Sequence, residues 1–507
     1  MNHPVSRRRM LQQGASALAA PALVACGGSF EFSSDLMPSR LDTALARIDG
    51  WAQDLMARTQ LPGMAIGVVR GDRIVYAKGL GIRKVGSADP VTPDTVFQLA
   101  SVSKSIGATV VARQVGQGVV RWDTPMHSLL PWFAMKDEAT TAQLTVADLY
   151  AHRSGLPDHA GDYLEDLGYS RRQSLERLRY LPLEPFRRHY AYTNFGLTAA
   201  AEGVAVASGA DWATLSEQVL YQPLGMGSTS SRYADFLARA NRATGHVRAN
   251  GAWQPGLARN PDTQSPAGGV NSSVNDMARW LGMLLGDGFY GGRQLVASSA
   301  LAPAWQRQIE SSPGQYYGLG FNVGTTGGGR PVVSHSGAFA LGAATAFTVL
   351  PTAGVAIVVL TNGFPLGVPE TLCQQFVDTL ENGSLQKDWW GLYSAAFAGM
   401  LKPSGALVGV ARPTNPRPSA GLASYAGTWL NDYFGPLQTR MVAGALQIVL
   451  GPSSSVFQLQ HWDGDVFTFE PAGESANPGT ISKATFSGRK VTLEFYDDEG
   501  LGTFVRA

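Results

Sequence analysis

Phe97-Gln98-Leu99-Ala100-Ser101-Val102-Ser103-Lys104-Ser105 is the stretch on which the fold turns. A strand-like run, Thr95 to Leu99, stops there, and a helix-like run, Val102 to Val115, begins. Ser101 therefore falls at a helix start, where unpaired backbone N–H groups gather and favour negative charge. Lys104 follows one turn later, which brings its stem onto the face of Ser101. A hydroxyl is a poor nucleophile until its proton is removed. An amine kept neutral by desolvation and positive neighbours can remove it. Ser-x-x-Lys at a helix start is thus a compact acylation device, although standing alone the pattern more often marks a cap and a solvated lysine.

The chain on either side supplies the frame. Leu41, Leu45, Ile48, Ala52 and Leu55 recur at helical spacing and predict a helix from Arg40 to about Thr59, capped by Ser39. Met64 to Val69 and Arg73 to Lys78 read as two strands across Arg70-Gly71-Asp72. Residues 160 to 290 read as helices and long loops. Strand character returns at Tyr316 to Val323, Val332 to Ser334, Ala344 to Leu350 and Val355 to Thr361, followed by a helix from about Glu370 to Leu380. Strands first and last with helices between imply an α/β (α+β) domain. One antiparallel sheet is closed by both ends and flanked by helices, with an inserted all-helical lobe and a cleft between the two.

Two further groups of polar residues follow along the chain. Tyr192-Thr193-Asn194 precedes an Ala-rich helix pattern. A tyrosine near a lysine can act as a base, and an asparagine can hold a substrate carbonyl or orient the lysine. His335-Ser336-Gly337-Ala338 sits at a strand-like site whose N–H groups can face the oxygen of an acylated Ser101.

Ser101-Val102-Ser103-Lys104, Tyr192-Thr193-Asn194 and His335-Ser336-Gly337, in that order, resemble the three motifs of the class C β-lactamase and penicillin-binding-protein-like serine hydrolases. The resemblance extends over roughly residues 38 to 382. It is supported by Ala151-His152-Arg153-Ser154-Gly155-Leu156-Pro157, Ser265-Pro266-Ala267-Gly268-Gly269-Val270 and Val359-Leu360-Thr361-Asn362. It implies Ser101 as nucleophile, with Lys104 and Tyr192 sharing proton transfer and Tyr192 the expected base. Asn194 would position substrate and Lys104. The N–H groups of Ser101 and Ala338 would form the oxyanion hole, and His335, Ser336 and Gly337 would line the substrate side. His335 stands where many antibiotic-hydrolysing members carry lysine. A histidine, largely neutral near pH 7, offers no fixed cation for a substrate carboxylate. The expectation is therefore an esterase or D-aminopeptidase-like amidase acting through an acyl-enzyme. The alternatives are a β-lactamase or D-alanyl-D-alanine carboxypeptidase, or a penicillin-binding sensor without turnover.

The amino-terminal residues 1–37 read as an address and tether. Ser6-Arg7-Arg8-Arg9-Met10-Leu11 resembles a twin-arginine export signal, and the apolar run Ala15 to Ala25 is too short to span a bilayer. Leu23-Val24-Ala25-Cys26-Gly27 looks like a bacterial lipobox, which implies lipid on Cys26 and a periplasmic or envelope location. Residues 38–385 form the expected hydrolase domain, and residues 386–420 an aromatic helix and a Pro-rich linker. Residues 421–507 alternate short β-rich runs with Gly turns and read as a small all-β barrel or sandwich, resembling a lipocalin-like domain. A formal net charge of +1 gives no hint of nucleic acid, and the two cysteines, Cys26 and Cys373, make neither a disulfide framework nor a zinc site. No metal or cofactor is implied, and there is no Gly-x-Ser-x-Gly elbow of the α/β-hydrolase kind. The expected partner is a small-molecule or peptide-like acyl substrate, with membrane contact only through the lipid.

Overall fold

A computed structural model describes residues 37–256 and 258–507. The export signal, the lipobox and Cys26 lie outside the described residues. Helix α1 (Met37–Thr59) leads into strands β1 (Gly63–Arg70) and β2 (Arg73–Gly81). The helical lobe follows, with α2 (Ser103–Gly116), α3 (Asn194–Ala207) and α4 (Val274–Leu285) as its longer helices. The chain returns to the sheet through β3 (Ile309–Ser312), β4 (Gln315–Tyr317), β5 (Asn322–Thr325), β6 (Pro331–Phe339), β7 (Ala343–Leu350) and β8 (Val355–Thr361). Helices α5 (Val368–Asn382) and α6 (Trp389–Met400) close the domain.

The sheet is antiparallel throughout, in the order β2-β1-β8-β7-β6-β5-β4-β3. Its central strands read as continuous apolar runs because both faces are covered. Met64, Ile66 and Val68 of β1 and Ile357 and Val359 of β8 pack on α1 and α5 through Leu41, Ile48, Leu55, Leu372, Phe376 and Leu380. Their neighbours Ala65, Val69, Val358 and Leu360 join the larger core that includes Trp280 of α4 and Val110 of α2. The two-residue side-chain period of a strand thus divides one sequence between two cores.

Several strands differ from the sequence expectation. Thr95 to Leu99 is not a strand of the sheet: Phe97–Gln98 form a two-residue ladder with Asn271–Ser272 inside the helical lobe, and Val96 bridges to Arg242. Tyr316 to Val323 is two strands, broken at Gly318-Leu319-Gly320, where Gly320 takes φ +78. Strand β6 runs well past Ser334 and carries His335 to Ala338 within it.

The carboxyl-terminal unit is a nearly closed barrel of nine strands. They are β9 (Gly427–Leu430), β10 (Leu437–Val442), β11 (Ala445–Leu450), β12 (Ser455–Gln458), β13 (Gln460–Asp463), β14 (Val466–Phe469), β15 (Ser482–Ser487), β16 (Lys490–Leu493) and β17 (Thr503–Arg506). Their order is β12-β11-β10-β9-β17-β16-β15-β14-β13, so the two edge strands are joined by Leu459 alone. Leu437, Ile448, Phe467, Val491 and Phe504 fill the interior, and Trp429 donates its indole N–H to Thr439 Oγ1 at 2.9 Å. No helix among the described residues is long and apolar enough to cross a membrane.

Candidate active site

Ser101 sits in a 3-10 turn, Ala100–Val102, immediately before α2. The turn is held from both sides: Leu99 N donates to Val270 O at 2.9 Å, and Thr345 Oγ1 of β7 donates to Leu99 O at 2.7 Å. Ala100 is left at φ +48, a left-handed conformation that an alanine adopts only when its surroundings impose it. The strain lies one residue before the hydroxyl.

Lys104, fully buried, projects from the first turn of α2. Its Nζ lies 3.0 Å from Ser101 Oγ, 2.7 Å from Asn194 Oδ1 and 3.0 Å from Ala267 O. Burial holds the amine well below the usual lysine value; the Asp162 carboxylate opposes that shift and Arg259 adds to it. Tyr192 donates its hydroxyl to Ser101 Oγ at 2.7 Å, and its ring lies 4.5 Å from Lys104 Nζ. Burial raises the phenol, so it keeps its proton at neutral pH.

Strand β6 forms the other wall. A Cβ on Gly337 would come within 2.2 Å of Leu99 O, 2.5 Å of Thr345 Oγ1 and 2.9 Å of Ser101 N, so only glycine lets the strand approach so closely. Beyond Ser334, β6 pairs with β7 but no longer with β5. His335, 5% exposed, has Nδ1 2.6 Å from Ser336 O and Nε2 2.9 Å from the Tyr317 hydroxyl. A carbonyl only accepts, so the proton sits on Nδ1 and Tyr317 donates to Nε2. Burial and the nearby Lys104 bring this imidazole down to about 3.

Ser101, Lys104, Tyr192, Asn194, His335 and Gly337 therefore converge, and Ala338 follows Gly337 along β6, opposite Ala344 of β7. Ser336 does not join them. Alternation along β6 turns its side chain away from Ser101, toward Glu370 and into a cavity of about 460 Å³ behind the sheet.

Asp162 and His159, beside the site, carry no sequence signal. Asn194 Nδ2 donates to both Asp162 oxygens, at 3.2 and 3.0 Å, and His159 Nδ1 lies 2.7 Å from Asp162 Oδ2. Asp162 thereby orients the amide so that its oxygen faces Lys104. His152, at φ +56, accepts from Thr193 N at 3.2 Å and packs its ring on Tyr192 and Tyr317. This gives the Ala151–Pro157 segment a physical role behind the tyrosine.

The Beta-lactamase family model matches residues 48–378. The chain belongs to that family. Residues 411–500 match a second model, a Domain of unknown function (DUF3471), which covers the barrel up to its last strand. Among curated Beta-lactamase relatives, an unguisins hydrolase of Aspergillus campestris is 30% identical over 45% of this chain and 45% of its own length. Penicillin-binding protein 4 of Amycolatopsis lactamdurans is 29% identical over 61% of this chain and 83% of its own. The chain spans about half the length of the hydrolase it matches. In fold, the octameric penicillin-binding protein homologue from Pyrococcus abyssi is similar at a TM-score of 0.60 and 18% identity, over 91% of this chain and all of that one.

Proposed function

We propose that the protein is a serine acyl-hydrolase that cleaves a carboxylic ester or amide lacking a free carboxylate beside the reacting carbonyl. The carrying observation is the environment of Lys104. A neutral amine has two N–H donors and one lone pair. Asn194 Oδ1 and Ala267 O can only accept, so they take the two donors and leave the lone pair for the Ser101 hydroxyl. Tyr192 meanwhile donates to the same oxygen.

Proton and nucleophile then move together. As Ser101 Oγ attacks the carbonyl, its proton passes to Lys104, and the N–H groups of Ser101 and Ala338 receive the developing oxyanion. The Lys104 ammonium returns the proton to the leaving group by way of Tyr192. Water reverses the sequence on the acyl-enzyme. The base is thus Lys104 rather than Tyr192, whose raised phenol suits it to donate.

The uncharged His335 supports the substrate class, since it offers a carboxylate no counter-ion. A fluorophosphonate probe should label Ser101, and Ser101→Ala should abolish labelling. A p-nitrophenyl ester should be cleaved faster than nitrocefin. Intact protein that stays unlabelled where a control hydrolase reacts would remove the proposal. The Arg7-Arg8-Arg9 cluster and Cys26 support export and lipid anchoring as part of the same proposal.

A further inference from the structure

Between β14 and β15 the barrel sends a loop back to the catalytic cleft. Asp166 Oδ1 accepts from Glu474 N at 3.1 Å, and Asp166 Oδ2 accepts from Ser475 N at 2.9 Å. Gly473 lies so near that a Cβ there would fall 2.6 to 2.8 Å from the Asp166 carboxylate. The carboxylate of Glu474 reaches the opposite wall. Its Oε1 accepts from Ala340 N at 2.6 Å and its Oε2 from Leu341 N at 3.3 Å, at the turn between β6 and β7.

Both attachments bear on the chemistry. Asp166 ends a five-residue helix, Asp162–Asp166, and Asp162 at its start is the residue that orients Asn194 toward Lys104. Ala340 lies two residues beyond Ala338 on the strand that flanks Ser101. A third tie runs between the walls: Arg259 pairs with Glu474 Oε2 at 3.3 Å and with Glu165 Oε2 at 2.5 Å. Its guanidinium lies over the Phe339 ring at 4.7 Å, and Phe339 packs on Ala100. Arg259 and Glu165 are about nine-tenths buried, and Glu474 has 18% of its side chain exposed. Charge-assisted bonds in so dry a place are strong and directional.

We infer that residues 473–475 of the barrel staple the two walls of the catalytic cleft, and that Glu474 is a positioning residue for acyl transfer. The inference rests on the hydrolase reading. It gives the domain of unknown function a part in the reaction: it fixes the distance between the wall holding Asn194 and Lys104 and the wall holding Ala338. A displacement of about 1 Å at such a site costs on the order of a hundredfold in rate.

The test uses the full chain and a fluorophosphonate probe. Glu474→Ala should slow labelling of Ser101 at least about tenfold and lower kcat on a p-nitrophenyl ester with KM nearly unchanged. Glu474→Gln keeps an oxygen for Ala340 N and should recover most of that loss. Wild-type labelling by E474A overturns the inference, and so does a lower melting temperature with unchanged kcat. Failure of E474Q to recover any rate overturns it as well. Should E474A not fold, Glu474→Asp decides, because its shorter stem cannot span to the turn: slowed labelling is expected and a wild-type rate refutes. An unlabelled wild type would sink the hydrolase reading itself, whereas a labelled wild type with unaffected variants sinks only the staple.

Discussion

Gly337→Ala is the sharpest probe of the proposed oxyanion geometry. The added methyl would sit 2.2 Å from Leu99 O and 2.9 Å from Ser101 N, against about 3.4 Å for an ordinary contact. Leu99 cannot yield easily, because its N–H is tied to Val270 O and its carbonyl to Thr345 Oγ1. The strand must therefore retreat by about 1 Å, which carries the Ala338 N–H away from the oxygen it serves. Overpacking of this kind costs about 1–3 kcal/mol of stability, and a misplacement of that size costs about 10²-fold in rate. Stopped-flow or gel-based fluorophosphonate labelling measures the rate, and a thermal melt measures the stability. The expected result is a modest loss in melting temperature with a labelling rate constant about a hundredfold lower. Labelling at the wild-type rate by a stably folded G337A would refute the placement of β6 against Ser101 and the oxyanion role of Ala338 with it.

Other outcomes follow from the electrostatics. Only neutral Lys104 can accept the Ser101 proton, so labelling should rise with pH and level off below the ordinary lysine range; Asp162→Asn removes a negative neighbour that favours the ammonium and should move this rise to lower pH. A rise that stays in place or moves upward would count against Lys104 as base. Burial behind the sheet pushes Glu370, 5% exposed, up to about 7. Its folded form holds a proton that the unfolded chain releases near 4.5, so stability falls as pH rises from there to about 7 and is flat above. The loss is about 3 kcal/mol at 1.36 kcal/mol per pH unit. Glu370→Gln should lessen the fall in stability that urea melts read between pH 5 and pH 8, leaving the share of Glu165, which burial also raises to about 7, and an unchanged fall would contradict it. Cys26→Ser should move the protein from the membrane pellet to the soluble fraction of its host, whereas unchanged pelleting would remove lipid anchoring.

The parts of the site legible in the sequence are those whose chemistry is local. Ser101 and Lys104 share one helical turn, and Tyr192 and Asn194 bracket a helix start, so spacing alone brings each pair together. Asp162 and Glu474 act on residues 32 and 134 positions away, and no periodicity connects them. The direction of the Ser336 side chain is not legible, because a run of polar residues hides the alternation that the buried neighbours His335 and Gly337 show in the strand. Thr95 to Leu99 looked like a strand because Val96 and Phe97 are apolar and β-prone. Their burial is instead against the helical lobe, where a two-residue ladder suffices. Phe457 to His461 alternates apolar and polar residues without a break, the pattern of one strand, yet it divides between β12 and β13. The barrel turns a corner there, as Leu459 N donates back to Leu446 O at 2.9 Å.

In the central sheet β1 lies directly against β8, with Met64 opposite Thr361. A ribosome adding about 5–20 residues per second needs on the order of 15–60 s to deliver that partner. Throughout the interval the nascent β1–β2 hairpin carries an apolar surface with nothing to cover it, a target for chaperones and an invitation to aggregate. The nucleophile is synthesised early and the strand that flanks it late. A truncated product released before residue 338 thus has Ser101 and Lys104 but no assembled centre, and activity should appear only when translation has nearly finished.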